Sequence, residues 1–403
     1  MCIRDLVEAA LSEASGRKIG LGIAGLGRAF TVMFPTFAAD RRVRLVAAAD
    51  LRAEARARFT ADFAGATYAT IEELCANPDV DVVYIATPHQ YHARHAIVAA
   101  QHGKHLLIEK PMALTLEECE SIIDAAHRSD VRLVVGHSHS FDAPVARVHT
   151  LIRSGEFGAA RMINAINYTD YLYRPRRPEE LETDRGGGAV FNQAPHQVDI
   201  VRLVGGGRVA SVRAATGAWD RSRPTEGAYA ALLTFEDGLF ASLTYSGYGH
   251  FDSDEFQGWI GEMGRVKQPY SGRSSPHFAN RQEEMAFKNA QNYGGTEYRA
   301  ATAESLTHQH FGTLLVSCDR ADLRAVPNGV MIYKEGIARL DPLPRPTVPR
   351  AEVIDELYRA VVHGEPPLHG GEWAMATQEV VLAILASARE GREIALRHQV
   401  AAP

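Results

Sequence analysis

Short apolar runs alternate with helical periodicities through the first third of the chain. Residues 19–24, 45–49, 82–86, 105–108 and 132–135 are each a few residues long and rich in Val, Ile, Leu and Ala. Between them the apolar positions recur at helical spacing, which is the βαβ rhythm of a parallel sheet. Thr115 and Glu118 form a capping box ahead of residues 119–127, where Ile122, Ile123 and Ala126 share one helical face. Ahead of the first strand, Ile3, Leu6, Val7, Ala10 and Leu11 fall on one side of a predicted helix over 2–15, stopped by Gly16.

From residue 145 the pattern changes. A helix to 153 is followed by longer alternating runs, 228–235 and 239–245, joined by Glu236-Asp237-Gly238 as in a hairpin. Strands in series without intervening helices predict a largely antiparallel sheet. Residues 250–310 are polar and too long for an ordinary connection, which predicts an inserted lobe or mobile flap. Helices are expected over 353–362 and 374–389, on either side of Pro366-Pro367. The expected class is α/β, in three parts. Residues 1–16 are a helical extension, 17–144 a Rossmann dinucleotide-binding domain, and 145–403 an α+β substrate and oligomerisation domain with a large, mostly antiparallel open sheet and the insertion at about 250–310.

Composition narrows the function classes. A chain of 403 residues with 46% hydrophobic and 23% charged residues has a sizeable core, and a net charge of −6 gives no general field for a nucleic acid. No apolar run approaches the ~18 residues of a membrane span, and the first residues lack the apolar core of a signal peptide, so a cytoplasmic protein is expected. Cys2, Cys75, Cys119 and Cys318 are scattered, with no metal or disulfide spacing, and read as reduced packing residues.

Strand 19–24 runs into Gly25-Leu26-Gly27-Arg28-Ala29-Phe30, a dinucleotide fingerprint with Phe30 where a small third residue is usual. Gly25 permits the turn, and Gly27 lets the backbone approach a pyrophosphate at the helix N-terminus. Asp50 stands 25 residues after Gly25, at the end of the second strand, where a carboxylate accepts ribose hydroxyls and repels a 2′-phosphate. NAD is therefore expected, with NADP possible if Arg52 shields the phosphate. The third strand ends at Thr87-Pro88, with His92 following, and the fourth at Glu109-Lys110-Pro111. Loops at these strand ends flank the ligand crevice, although Glu-Lys-Pro alone is also a plausible strand stop.

Together with Gly186-Gly187-Gly188-Ala-Val-Phe-Asn192-Gln-Ala194-Pro-His196-Gln-Val-Asp199, these motifs resemble the Gfo/Idh/MocA oxidoreductase family over roughly residues 17 to 250. The resemblance implies oxidation of a secondary alcohol by hydride transfer to NAD or NADP, with Lys110 and His196 acting at the substrate hydroxyl. The chain departs from the family pattern at Asn192, where aspartate is usual, and at Ala194, where glycine is usual. An amide cannot relay a proton, which leaves Asn192 an orienting role. Within the family the likeness is to cis-dihydrodiol dehydrogenases of phthalate breakdown, which convert 4,5-dihydro-4,5-dihydroxyphthalate to 4,5-dihydroxyphthalate. It rests on Phe30, His137-Ser-His139-Ser-Phe141, Tyr168 to Glu180, and Gly247 to Asp254.

An aromatic-acid precursor needs cationic forks and flat walls. Tyr168, Tyr171 and Tyr173 with Arg174, Arg176 and Arg177 offer both, unless the segment is a solvated loop neutralised by Glu179, Glu180 and Glu182. His137, His139, His196 and His250 with Asp199 raise the question of a metal. Hydride transfer with a lysine base requires none and the resemblance implies none, so no metal is expected. A sugar or cyclitol dehydrogenase of the same family and a non-catalytic NAD(P) sensor are the alternatives; retention of both Lys110 and His196 speaks against the sensor. The expected partners are a small-molecule substrate and, across the open sheet, further copies of the chain in a dimer or tetramer.

Overall fold

The computed structural model describes residues 16–136, 138–270, 278–299 and 307–402. The helix expected over 2–15 and the position of His137 lie outside them. In chain order the first elements are β1 (Ile19–Ala24), α1 (Arg28–Ala39), β2 (Val43–Ala49), α2 (Ala53–Phe63), β3 (Ala66–Tyr68), α3 (Ile71–Ala76), β4 (Val82–Ile85), α4 (His92–Gln101), β5 (His105–Ile108), α5 (Leu116–Arg128) and β6 (Leu133–Val135). Among the described residues the strands form a six-stranded sheet, β3-β2-β1-β4-β5-β6, every pair parallel. Helices cover both faces, which is why β1 and β4 are buried at every position. The Thr115–Glu118 capping box is closed in both directions at the start of α5. Because all six strands run the same way, their carboxyl ends share one edge. Gly25, Asp50, Thr87, Lys110 and His139 all follow strand ends there.

The second unit continues with α6 (Ala143–Arg153), β7 (Ala160–Tyr168), α7 (Gly188–Val204), β8 (Val209–Gly217), β9 (Ala228–Phe235), β10 (Phe240–Ser246), α8 (Arg281–Gln291), β11 (Thr313–Cys318), β12 (Asp322–Val326), β13 (Gly329–Lys334), β14 (Ile337–Pro342), α9 (Ala351–Tyr358), α10 (Gly371–Glu390) and β15 (Ile394–Ala395). Among the described residues its nine strands are ordered β14-β13-β12-β11-β7-β10-β9-β8-β15, antiparallel except for β7 with β10. β9 and β10 form the expected hairpin, with Gly238 in the left-handed region at its turn. One face is covered: Ile163, Ala165, Leu233, Ala241 and Leu243 join α7's Val190, Ala194, Val198 and Val201 in the core. The other leaves Leu232 and Phe240 exposed, as alternation requires of an open sheet.

Two features differ from the expected three-part division. Residues 351–363 return to the first domain, where Val353, Ile354 and Leu357 pack with Ile19, Leu21 and Tyr84. The insertion also reaches that domain. Phe30, which stands where a small third residue is usual, is fully buried against Tyr293 of the insertion, the rings perpendicular at 5.1 Å. The Tyr293 hydroxyl donates to Asp62 (2.7 Å) and its carbonyl accepts from Arg52 (3.3 Å).

Candidate active site

The turn after β1 is built around Gly25, at φ +94°, where an added Cβ would lie 2.7 Å from the Ala86 carbonyl oxygen. Gly27 stands at the N-terminal cap of α1, and a Cβ added there meets nothing within 4 Å. Open space against a helix N-terminus fits a pyrophosphate. Asp50 braces this turn: one carboxylate oxygen accepts the Leu26 N–H (2.8 Å) and the other the Arg52 N–H (2.8 Å). The Arg52 guanidinium folds back onto Asp50 (3.2 Å), the Leu26 carbonyl (2.8 Å) and the Tyr293 carbonyl. It is thereby committed to protein acceptors, and NAD suits the site better than NADP. Gly27→Ala should fold normally yet weaken NAD binding by about tenfold or more, because the methyl fills the space the pyrophosphate needs. Tryptophan-to-NADH energy transfer measures this directly; an unchanged dissociation constant would place the cofactor elsewhere.

Of the other residues expected at the cofactor, His92 has a different task. It is fully buried, with Nδ1 2.9 Å from the Pro111 carbonyl and Nε2 2.9 Å from the Thr87 carbonyl, and so ties the end of β4 to the end of β5. Thr87 faces His95 (3.0 Å), and Pro88 precedes the turn leading into α4. Ala29 lies in the first turn of α1. Arg28, exposed beside it, is within the electrostatic reach of Arg174, Arg176 and Glu262. Glu109 is buried and accepts a short hydrogen bond from Tyr84.

The segment of α7 that holds the expected catalytic histidine begins beside Lys110. Gly188, at φ +82°, is confined to glycine because a Cβ would collide with Glu226. Glu226 in turn caps the helix, its carbonyl accepting from Ala189 N–H (2.9 Å) and its carboxylate from Val190 N–H (3.1 Å). Asn192, His196 and Asp199 are spaced four and three residues apart and therefore share a face. The Asn192 side-chain amide donates to the Gly186 (3.2 Å) and Gly188 (2.9 Å) carbonyls, while the Asn192 backbone carbonyl accepts from Lys110 Nζ at 2.7 Å. Burial draws the Lys110 ammonium below the ordinary lysine range; Glu109 and Glu262 oppose this and Arg176 adds to it. His89, bonded to the Gly186 carbonyl (3.2 Å), is pushed down to about 3 by burial and by the nearby His92 and Lys110.

Asp199 anchors this face. It accepts from Trp373 Nε1 (2.6 Å), Thr377 Oγ1 (2.9 Å) and, by a short bond, Ser140, which also meets His369 Nε2 at 2.9 Å. The His196 ring lies edge-on to His139 (4.9 Å between centroids) and 4.7 Å from Phe311. His139 Nδ1 is 2.6 Å from Asp142 and Nε2 3.4 Å from Glu262. Burial would lower its pKa, but the Asp142 charge and hydrogen bond and then Glu262 outweigh this and raise it to about 9. His139 is thus an imidazolium at neutral pH.

The tyrosine–arginine segment divides. Arg176 stacks on Tyr171 at 3.7 Å and donates to the Tyr171 carbonyl (2.6 Å), while its N–H bonds Glu284 of α8 (2.7 Å). Arg177 pairs with Glu179 (3.2 Å) and Glu180 (3.5 Å), and Glu180 also holds Lys288 of α8. Both arginines therefore help to dock the insertion. Arg174 is half-buried, bonded to Asp170 at 2.8 Å and within the field of Glu262, an acid whose charge also reaches Lys110. Tyr168 and Tyr173 line a separate cleft with Trp219, Tyr248, His250 and Phe251, which shares no residue with the cavity at Lys110. Among the described residues no group of three or more His, Cys, Asp or Glu side chains is arranged to hold a metal, and no helix is long and apolar enough to cross a membrane.

The chain is similar to known proteins over both domains. Residues 19–137 match the family model described as an oxidoreductase family with an NAD-binding Rossmann fold, and residues 145–267 match the GFO/IDH/MocA C-terminal domain. The chain is 49% identical over 373 residues to 1-carboxy-3-chloro-3,4-dihydroxycyclohexa-1,5-diene dehydrogenase of Comamonas testosteroni, covering 91% of this chain and 94% of that one. A crystal structure from Bordetella bronchiseptica RB50 superposes with a TM-score of 0.88 at 40% identity, over 94% of this chain and all of that one. The WlbA dehydrogenase of Bordetella pertussis, solved with NADH and UDP-GlcNAcA, shares the fold at a TM-score of 0.69 and 22% identity, over 94% of this chain and 98% of that one.

Proposed function

Since the chain belongs to the Gfo/Idh/MocA oxidoreductase family, we propose that it oxidises carboxylated cyclohexadiene cis-diols to catechols with NAD. What supports this is Glu262, whose charge reaches Lys110, Arg28 and Arg174 and so relates the expected base to two guanidinium groups. A lysine drawn below its usual range by burial is suited to accept an alcohol proton, and guanidinium groups pair with carboxylates. The relative from Comamonas testosteroni is named as the dehydrogenase of a dihydroxycyclohexadiene bearing one carboxyl group. The dicarboxylate 4,5-dihydro-4,5-dihydroxyphthalate is the member the sequence likeness favours.

Bound NAD supplies the hydride acceptor. The protein orders the rest: Lys110 takes the hydroxyl proton, the backbone carbonyl at position 192 holds Lys110 at the start of α7, and His196, one turn further along that helix, acts at the same hydroxyl. Loss of a hydride from carbon and a proton from oxygen leaves a ketone, which tautomerises to the catechol, and aromatisation pulls the reaction forward. The exposed sheet face around Leu232 and Phe240 is where a second copy of the chain would pack.

A substrate panel tests the proposal. Turnover should be fastest with NAD and a carboxylated dihydrodiol, slower with NADP, and negligible with inositols or aldoses. Comparable rates on polyols would favour a sugar or cyclitol dehydrogenase, and binding of NAD without turnover of any alcohol would favour a sensor.

A further inference from the structure

The hairpin at 259–267 brings into the site an acid that proton removal does not use. Lys267 N–H bonds the Trp259 carbonyl (2.7 Å) and Gly261 N–H the Arg265 carbonyl (2.8 Å), so Glu262 begins a tight tip. That tip is held from three sides. Arg350 reaches Met263 Sδ (3.2 Å), Thr307 Oγ1 donates to the Gly264 carbonyl (2.9 Å), and His310 N–H donates to the Glu262 carbonyl (3.3 Å). The Glu262 carboxylate then stands 3.4 Å from His139 Nε2, and the His139 ring is 4.9 Å from that of His196. Burial would raise the Glu262 pKa, but the His139 hydrogen bond and the charges of His139, Arg174 and His310 hold it well below the usual carboxylate range.

An ionised acid in a site for anionic substrates repels the substrate carboxylate unless it faces a hydroxyl. A vicinal diol supplies one: while one hydroxyl lies at Lys110 and His196, its neighbour needs an acceptor. Resting on the dihydrodiol reading above, we propose that Glu262 accepts the hydrogen bond of the hydroxyl that is not oxidised, with His139 holding the carboxylate in place. Glu262 is then a specificity-determining residue that reads the second hydroxyl. It also turns the substrate carboxylate away from itself, toward Arg174.

The test uses full-length protein loaded with NADH and two stable saturated probes, cis-3,4-dihydroxycyclohexanecarboxylate and 4-hydroxycyclohexanecarboxylate. The parent should bind the diol more tightly than the mono-alcohol. Glu262→Gln should shrink that preference by about tenfold, as expected for loss of a charge-assisted hydrogen bond, and Glu262→Asp should fall between. Equal weakening of both probes would reduce Glu262 to a partner of His139, and equal tightening would make it a mere source of repulsion; either overturns the proposal, as does an unchanged preference. Thermal melting and NADH binding identify a variant that fails to fold, in which case Glu262→Asp alone decides. A parent protein that turns over no carboxylated dihydrodiol defeats the functional reading as well. A parent that turns them over, with variants that keep the diol preference, defeats only the role of Glu262.

Discussion

Lys110→Ala should lower kcat for a carboxylated dihydrodiol by roughly 10²- to 10⁴-fold, the range usual for a lost general base, while changing the NAD dissociation constant by less than about threefold. The separation follows from where the amine sits. Nζ is bonded to the Asn192 backbone carbonyl at the start of α7 (2.7 Å), whereas the expected dinucleotide site is the turn at Gly25 and Gly27 with Asp50. His196→Ala should lower kcat less, because Lys110 remains to take the proton. Lys110→Met, which preserves most of the buried stem, guards against a folding artefact, and its kcat should fall with that of the alanine variant. If all three variants keep near-parental kcat, Lys110 and His196 are not the reacting pair and the sensor alternative gains ground.

Arg174→Ala should cost about 1.5 to 3 kcal/mol in kcat/KM for a carboxylated diol, roughly 10- to 150-fold, and should barely change an uncarboxylated diol. Asp170 holds the Nε of Arg174, and Arg174 carries this prediction because its neighbours help to dock the insertion: Arg176 on Tyr171 and Glu284, Arg177 on Glu179 and Glu180. Substituting either of those should loosen the insertion and harm charged and uncharged substrates alike. An Arg174→Ala effect shared equally by both substrates would remove it as the carboxylate anchor and turn attention to Arg28.

Elements that rest on local chemistry were legible in the sequence. β1 was readable to the residue because a strand buried on both faces is a continuous apolar run ending in a glycine turn. The β9–β10 hairpin was marked by its Glu-Asp-Gly turn and α5 by its capping box. Lys110 and His196 are singled out by the family resemblance of the motifs that carry them. What depended on distant partners was not legible. Glu262 lies in a polar insertion with no periodicity, and only its approach to His139 reveals it. Phe30 read as a departure from the fingerprint, because Tyr293, 263 positions along the chain, supplies the other half of its contact. Arg52 was a candidate phosphate shield until its bonds to Asp50, Leu26 and Tyr293 were visible. Tyr168 and Tyr173 shared a short segment with the arginines, yet strand alternation turns Tyr168 away from buried Asn167 and toward the other cleft. The return of residues 351–363 to the first domain likewise has no local signature.

The most direct test is a single turnover of a carboxylated cis-dihydrodiol carrying deuterium at the carbinol carbons, with excess protein and NAD. The account predicts one equivalent of catechol for each equivalent of reduced cofactor, the deuterium on the nicotinamide, and loss of both products in Lys110→Ala. Reduced cofactor without aromatic product, or catechol formed without deuterium reaching NAD, would contradict it.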